Sequence, residues 1–146
     1  LWKTDSAWTG TCRQLQVMLD DGSTHVANIK FKGFTFTGFF SPVKNPPFLN
    51  NENAGSFVQL HFSLGGFEGF DVFAGGSPTS QQINCSTKAP IGVPQAIGSP
   101  SGLLYNPFNG RYTYVWKTQN SWKNTCREFQ ATFDDGTTKT AWFKFK

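Results

Sequence analysis

Charge, helix-forming residues and chemically reactive side chains are all scarce in this chain of 146 residues. Charged residues make up 15% of it, there is one Met, and Glu, Ala and Leu are thinly used, which turns the expectation from helices to β-structure. No run approaches the roughly 18 apolar residues of a membrane span, so no membrane insertion is expected. Nor does a basic segment followed by an apolar stretch open the chain at Leu1, which reads as a mature or cut chain. No basic arm exists either: 13 Lys+Arg against 9 Asp+Glu give a formal net charge of +4, spread along the sequence, so no nucleic-acid partner is expected. The length holds about one domain, or a domain plus a fragment, and leaves no room for separate cofactor and substrate lobes. The 3 cysteines make no Cys-x-x-Cys pair, and their odd number suggests one disulfide plus a partner outside this chain, in an oxidising, extracellular setting.

What the chain does have is a long internal repeat. Trp2 to Lys32 reads WKTDSAWTGTCRQLQVMLDDGSTHVANIKFK, and Trp116 to Lys146 reads WKTQNSWKNTCREFQATFDDGTTKTAWFKFK, with no gap. The spacing of 114 residues far exceeds a solenoid period of roughly 20–50, so the repeating unit is a whole domain. Residues 1–33 therefore read as the terminal hairpin of an upstream repeat plus a short linker, and 34–146 as a complete domain. The joint, Lys32-Gly33, is too short to give successive domains much freedom.

Alternation defines the strands. Ala27, Ile29 and Phe31 share one face, as do Ala141, Phe143 and Phe145; Leu15, Val17 and Leu19 match Phe129, Ala131 and Phe133, with Arg, Gln, Thr and Met assigned between them. Asp20-Asp21-Gly22 and Asp134-Asp135-Gly136 supply the turns, because Asp-Gly tolerates the positive φ of a tight hairpin loop. Each copy is thus a β-hairpin, and a lone hairpin is marginal in water, so the first must dock on something or fray. Further strands are expected at 34–36, around Val58, Leu60 and Phe62, and at 70–73, 80–85, 103–105 and 111–117, separated by Gly, Pro, Asn and Ser clusters. The sum is an all-β fold, an immunoglobulin-like antiparallel β-sandwich preceded by a hairpin belonging to or docking on a neighbouring domain. Pro42, Pro46 and Pro47 are expected to mark an edge strand.

Several ordered motifs in residues 34–146 resemble a known family: Phe39-Phe40-Ser41-Pro42-Val43 with Asn45-Pro46-Pro47, Ser63-Leu64-Gly65-Gly66, Ser80-Gln81-Gln82-Ile83-Asn84-Cys85, Tyr112-Thr113-Tyr114-Val115-Trp116-Lys117-Thr118, and Thr125-Cys126-Arg127. The chain resembles the PxKF domain, and residues 1–32 resemble the tail of a second copy. The resemblance implies a secreted bacterial module, often in tandem on large surface proteins and beside hydrolase or adhesive domains. The naming motif itself departs: Gln59-Leu60-His61-Phe62 stands where the family has Pro-x-Lys-Phe, and only the Phe survives. The family label implies no catalytic residue and no ligand.

Cys85 and Cys126 are the two cysteines of the complete domain, and their disulfide would close a loop of about 40 residues, worth roughly 3–4 kcal/mol in the chain-entropy model. Cys12 is the repeat counterpart of Cys126, so its natural partner is an upstream equivalent of Cys85. The other candidate, Cys85 of another copy, requires the Cys126 hairpin of that copy to be displaced.

Catalysis lacks a constellation. Asp20, Asp21, Asp134 and Asp135 are turn residues, Glu68 and Asp71 sit in a Gly-rich stretch with no second polar group, and His25 and His61 fall on outward positions of different strands without a His-x-His or His-Glu motif. No Ser or Thr stands in a nucleophile elbow. The expectation is a non-enzymatic module with no metal and no cofactor. The aromatics carry the alternative: Trp142, which replaces Asn28 on the face opposite the apolar one, together with Tyr105 and Phe108 in loop positions, could form a sugar-stacking or packing platform. The expected function is a secreted, cell-surface structural or adhesive module, one period of a tandem array forming a stalk or filament, with neighbouring copies as head-to-tail partners. The alternative is a carbohydrate-binding accessory module of a secreted hydrolase, with a cell-wall or extracellular polysaccharide as partner.

Overall fold

A strand whose every second residue is apolar can hide that face only by lying against another sheet. Residues 34–146 do this with two facing sheets, and the computed structural model describes residues 2–146. A hairpin of β1 (Cys12–Met18) and β2 (Thr24–Lys30) forms a sheet of its own. Nine strands follow: β3 (Thr37–Phe40), β4 (Leu49–Glu52), β5 (Phe57–Ser63), β6 (Thr79–Ile83), β7 (Pro90–Ala96), β8 (Leu103–Asn106), β9 (Arg111–Lys117), β10 (Cys126–Thr132) and β11 (Thr138–Phe145). They make two sheets, in the orders β4-β11-β10-β6-β7 and β3-β5-β9-β8. All pairings are antiparallel except β4 with β11. This is the immunoglobulin-like order, with the first strand split between the sheets as β3 and β4 and with β7 extending the five-stranded sheet beyond β6.

The core between the sheets is aromatic. Phe62, Tyr112, Trp116, Phe129, Phe133, Phe143 and Phe145 are almost wholly enclosed, and they meet both edge to face, as Trp116 and Phe145 do at 5.7 Å and 84°, and stacked, as Phe62 and Tyr112 do at 5.5 Å and 16°. The expected core alternation of Tyr112, Tyr114 and Trp116 is present. The indole N–H of Trp116 is the one buried side-chain polar atom among the described residues with no acceptor.

Four details differ from the sequence expectation. Phe34 and Phe36 are half-buried against the core ahead of β3, which starts only at Thr37. The 70–73 segment is reduced to a single bridge between Phe73 and Phe133, since Gly69 and Gly75-Gly76 leave it no length. Pro42, Pro46 and Pro47 lie between β3 and β4, and the prolines of an edge strand are Pro90 and Pro94 in exposed β7, where a missing N–H is tolerated. Arg127 belongs to the inner side: its Nε donates to Ser80 Oγ at 2.8 Å, its Nη2 donates to Gln95 Oε1 at 3.1 Å, and its guanidinium lies 4.1 Å from the Trp122 ring. A buried charge is tolerated there because donors and an aromatic face replace water.

Gly38 holds β3 against β5. A Cβ at that position would lie 3.1 Å from the carbonyl oxygen of His61 and from Phe62 Cα, and its φ of +137° suits only glycine.

Candidate functional site

The chemistry-bearing feature of the fold is the repeated hairpin and the joint beside it. Both copies share the same strand register and the same hydrogen bonds at the turn and at the hairpin ends. Each begins with a short 3-10 turn, Ser6–Trp8 in one and Asn120–Trp122 in the other. Trp8 N donates to Asp5 O at 3.0 Å and Trp122 N to Gln119 O at 3.1 Å; Thr11 Oγ1 donates to Trp8 O and Thr125 Oγ1 to Trp122 O, both at 2.6 Å. In each, an arginine stacks on the second tryptophan, Arg13 on Trp8 at 4.4 Å and Arg127 on Trp122 at 4.1 Å. The strand registers coincide as well, Cys12 opposite Lys30 and Cys126 opposite Lys144.

Their surroundings differ. Trp2 is 41% exposed where Trp116 is 0%, Val17 is 45% where Ala131 is 1%, and Leu19 is 46% where Phe133 is 0%. The apolar face of the first hairpin thus lies open, whereas the same face of the second is the core of the sandwich.

Asp135 sets the joint. Its Oδ2 accepts the Phe34 N–H at 2.8 Å, and a Cβ on Gly33 would meet that oxygen at 3.2 Å and Thr9 Cγ2 at 3.2 Å. Burial works against the charge of Asp135, but hydrogen bonds from the Thr137 hydroxyl and N–H, the Phe34 N–H and the charge of Lys139 outweigh it and hold the carboxyl below its usual range. An open cleft of about 680 Å³ lies there, lined among others by Lys3, Trp8 and Phe31 from the hairpin and by Phe34 and Asp134 from the domain.

The cysteines divide as the repeat arithmetic implies. Cys85 and Cys126 form a disulfide with Cα atoms 5.2 Å apart, and Cys12 is free and exposed. This bond joins β10 to the chain just after its neighbour β6, within one sheet.

The aromatic platform is not assembled as expected. Trp142 lies on β11, half-buried, its indole N–H donating to Glu128 Oε2 at 2.8 Å, with Lys88 Nζ 5.8 Å from the ring. Tyr105 is on the other sheet, within β8 and not in a loop, packed on Tyr112 at 4.8 Å and Phe67 at 4.9 Å. Phe108, 99% exposed, occupies the turn beyond. Sequence reasoning missed Phe67 and Phe70, exposed and 5.3 Å apart. Their position among Gly65, Gly66 and Gly69, where no strand could bury them, was the available signal.

Glu68 and Asp71 lie in that loop, which Tyr112 fastens: its hydroxyl accepts the Glu68 N–H at 2.6 Å and donates to Gly69 O at 3.0 Å. His61 shares a hydrogen bond with Thr113 Oγ1 at 2.8 Å, and burial, then the charge of Arg111, lower its pKa. His25 lies apart, 3.3 Å from Ser23 Oγ. Among the described residues no three His, Cys, Asp or Glu side chains converge in a metal-holding group. No helix among them is long and apolar enough to cross a membrane. No family model, curated protein or solved structure matches the chain.

Proposed function

We propose that the chain is a non-enzymatic extracellular structural or adhesive module, one period of a tandem array of immunoglobulin-like domains that forms a cell-surface stalk or filament. One observation carries this reading: a hairpin that matches the closing hairpin of the sandwich in sequence and in hydrogen bonding has its apolar face open. A short joint, Lys32-Gly33, clamped by Asp135 supports it, since such a joint passes force and orientation between neighbours. The Cys85–Cys126 disulfide supports an oxidising location.

The test is a non-reducing digest of protein taken from its native source, with mass spectrometry of the Cys12 peptide and surface labelling of intact cells. A Cys12 peptide joined to a Cys85-type peptide, in a labelled species containing further repeats, is expected. A free Cys12 thiol on an intracellular species of 16.2 kDa refutes the proposal.

A second reading is favoured by Phe67, Phe70 and Phe108, exposed at one end of the domain: a carbohydrate-binding accessory module of a secreted hydrolase. Titration with cell-wall and plant polysaccharides should then weaken binding in Phe67→Ala and Phe108→Ala, and absence of any binding removes this reading.

A further inference from the structure

Residues 2–32 and 116–146 are identical at 16 of 31 aligned positions, yet only the second set is partnered. In it, β11 runs parallel to β4 along one edge and β10 antiparallel to β6 along the other. Cys126 is bonded to Cys85, and Asp135 caps the Phe34 N–H. In the first set every counterpart is idle among the described residues. β1 and β2 pair only with each other, Cys12 is free, and Asp21, the match of Asp135, accepts hydrogen bonds from Ser23 of its own turn. Two open strand edges, an open apolar face, a free thiol and a free cap are five features of one kind of docking.

We infer that residues 2–32 are the closing hairpin of a preceding β-sandwich repeat, whose body is arranged as residues 34–115 are here. That body lays a β6-like strand along β1 and a β4-like strand along β2, caps its own first strand with Asp21, and bonds Cys12 through a cysteine at the place of Cys85. The inference rests on the tandem-array reading and names the neighbour it needs.

A second copy of this chain is the poorer occupant for two reasons. Its body is already closed by its own hairpin, which the Cys85–Cys126 bond holds in place. Its slot is also the wrong shape: Leu15, Leu19 and Ile29 stand where Phe129, Phe133 and Phe143 fill the core, so three rings would be missing. Interiors pack too densely for such gaps to go unnoticed, and the preceding body therefore carries bulkier residues opposite those three. Closing the bond takes one hydrogen from each of the two thiols and gives both to an oxidised low-molecular-weight disulfide, which leaves as two thiols.

The test adds residues 34–114 ahead of Leu1 of the full chain, at the spacing of the repeat, and refolds the product in a glutathione buffer. A second version carries L15F, V17A, L19F and I29F, which match the added body to its hairpin. In both, Cys12 is expected to be joined to the added copy of Cys85, with the original Cys85–Cys126 bond intact. Amide exchange in β1 and β2 should slow by about 100-fold or more relative to the 146-residue chain, and the matched version should melt higher. A free Cys12 with unchanged exchange in both versions overturns the inference. So does an intermolecular bond from Cys12 to a neighbouring molecule, which would make a second copy the occupant. The readout is independent of cellular location: a docked hairpin in this product, alongside native protein with no preceding repeat, would refute the array and leave the docking geometry standing.

Discussion

Truncating Phe133 and truncating Leu19 to alanine removes a large side chain from the same place in two copies of one hairpin, and the two costs should be far apart. Phe133 is fully enclosed, with ring centroids of Phe73 at 5.3 Å, Phe62 at 5.5 Å, Phe36 at 5.6 Å and Phe34 at 6.0 Å. Removing such a ring leaves a cavity that rigid neighbours cannot close, at about 3–5 kcal/mol. Leu19 is 46% exposed on an open face, so its removal should cost less than about 0.5 kcal/mol. For a domain near this size about 4 °C of melting temperature accompanies each kcal/mol, giving a drop of about 12–20 °C for Phe133→Ala and under about 2 °C for Leu19→Ala. Guanidinium and thermal unfolding, followed by tryptophan fluorescence and circular dichroism, would measure both. Comparable losses for the two variants, unchanged on dilution, would refute the reasoning, because the first hairpin would then have to be part of a core.

Three further outcomes follow from the same contacts. The loop closed by Cys85 and Cys126 spans 41 positions, so C85S/C126S should lose about 3–4 kcal/mol in chemical denaturation, while Cys12→Ser changes stability by less than about 0.5 kcal/mol. Burial, then Arg111, lowers the pKa of His61 below 6.5, so the unfolded chain takes up its proton first as the pH falls; the stability due to neutral His61 is full above about 6.5 and declines below it. His61→Gln should flatten the fall in melting temperature between about pH 7 and 5. Burial pushes Tyr114 up to about 12, and its hydroxyl donates to Ile97 O at 2.9 Å; its contribution is full below pH 10 and is lost as pH rises beyond it. In an ultraviolet titration Tyr114 should ionise last, and Tyr114→Phe should remove part of the alkaline loss of stability.

Strand formation was legible where burial is one-sided. In β5, β9 and β11, and in β10 from Arg127 onward, the buried residues fall at every second position, and period two follows from pleated backbone geometry alone. β4 was not legible, because Leu49-Asn50-Asn51-Glu52 carries no alternation and owes its strand to pairing with β11 and to Asn50, whose Nδ2 donates to Trp142 O at 3.0 Å. β7 escaped for the opposite reason: exposed along its length, it has no buried face to leave a pattern. Arg127 has the parity of Phe129 and Ala131, so alternation alone sets it on the inner face; its charge argued the other way, and what makes a charge tolerable there, Ser80, Gln95 and the Trp122 ring, comes from 47, 32 and 5 positions away.

The repeat itself, the hairpins with their Asp-Asp-Gly turns, and the pairing of Cys85 with Cys126 were determined by the sequence alone, since each depends on local pattern or on counting. Which hairpin closes the core was a tertiary matter. Residues 2–32 and 116–146 have nearly the same local instructions and fold into the same bonds, but burial is a property of what lies opposite. Only the second finds β4, β6 and the facing sheet, and so Trp116 is enclosed while Trp2 stands open. The separation of Trp142 from Tyr105 has the same cause: alternation assigns a side chain to a face, and only the packing of two sheets decides which faces look at one another.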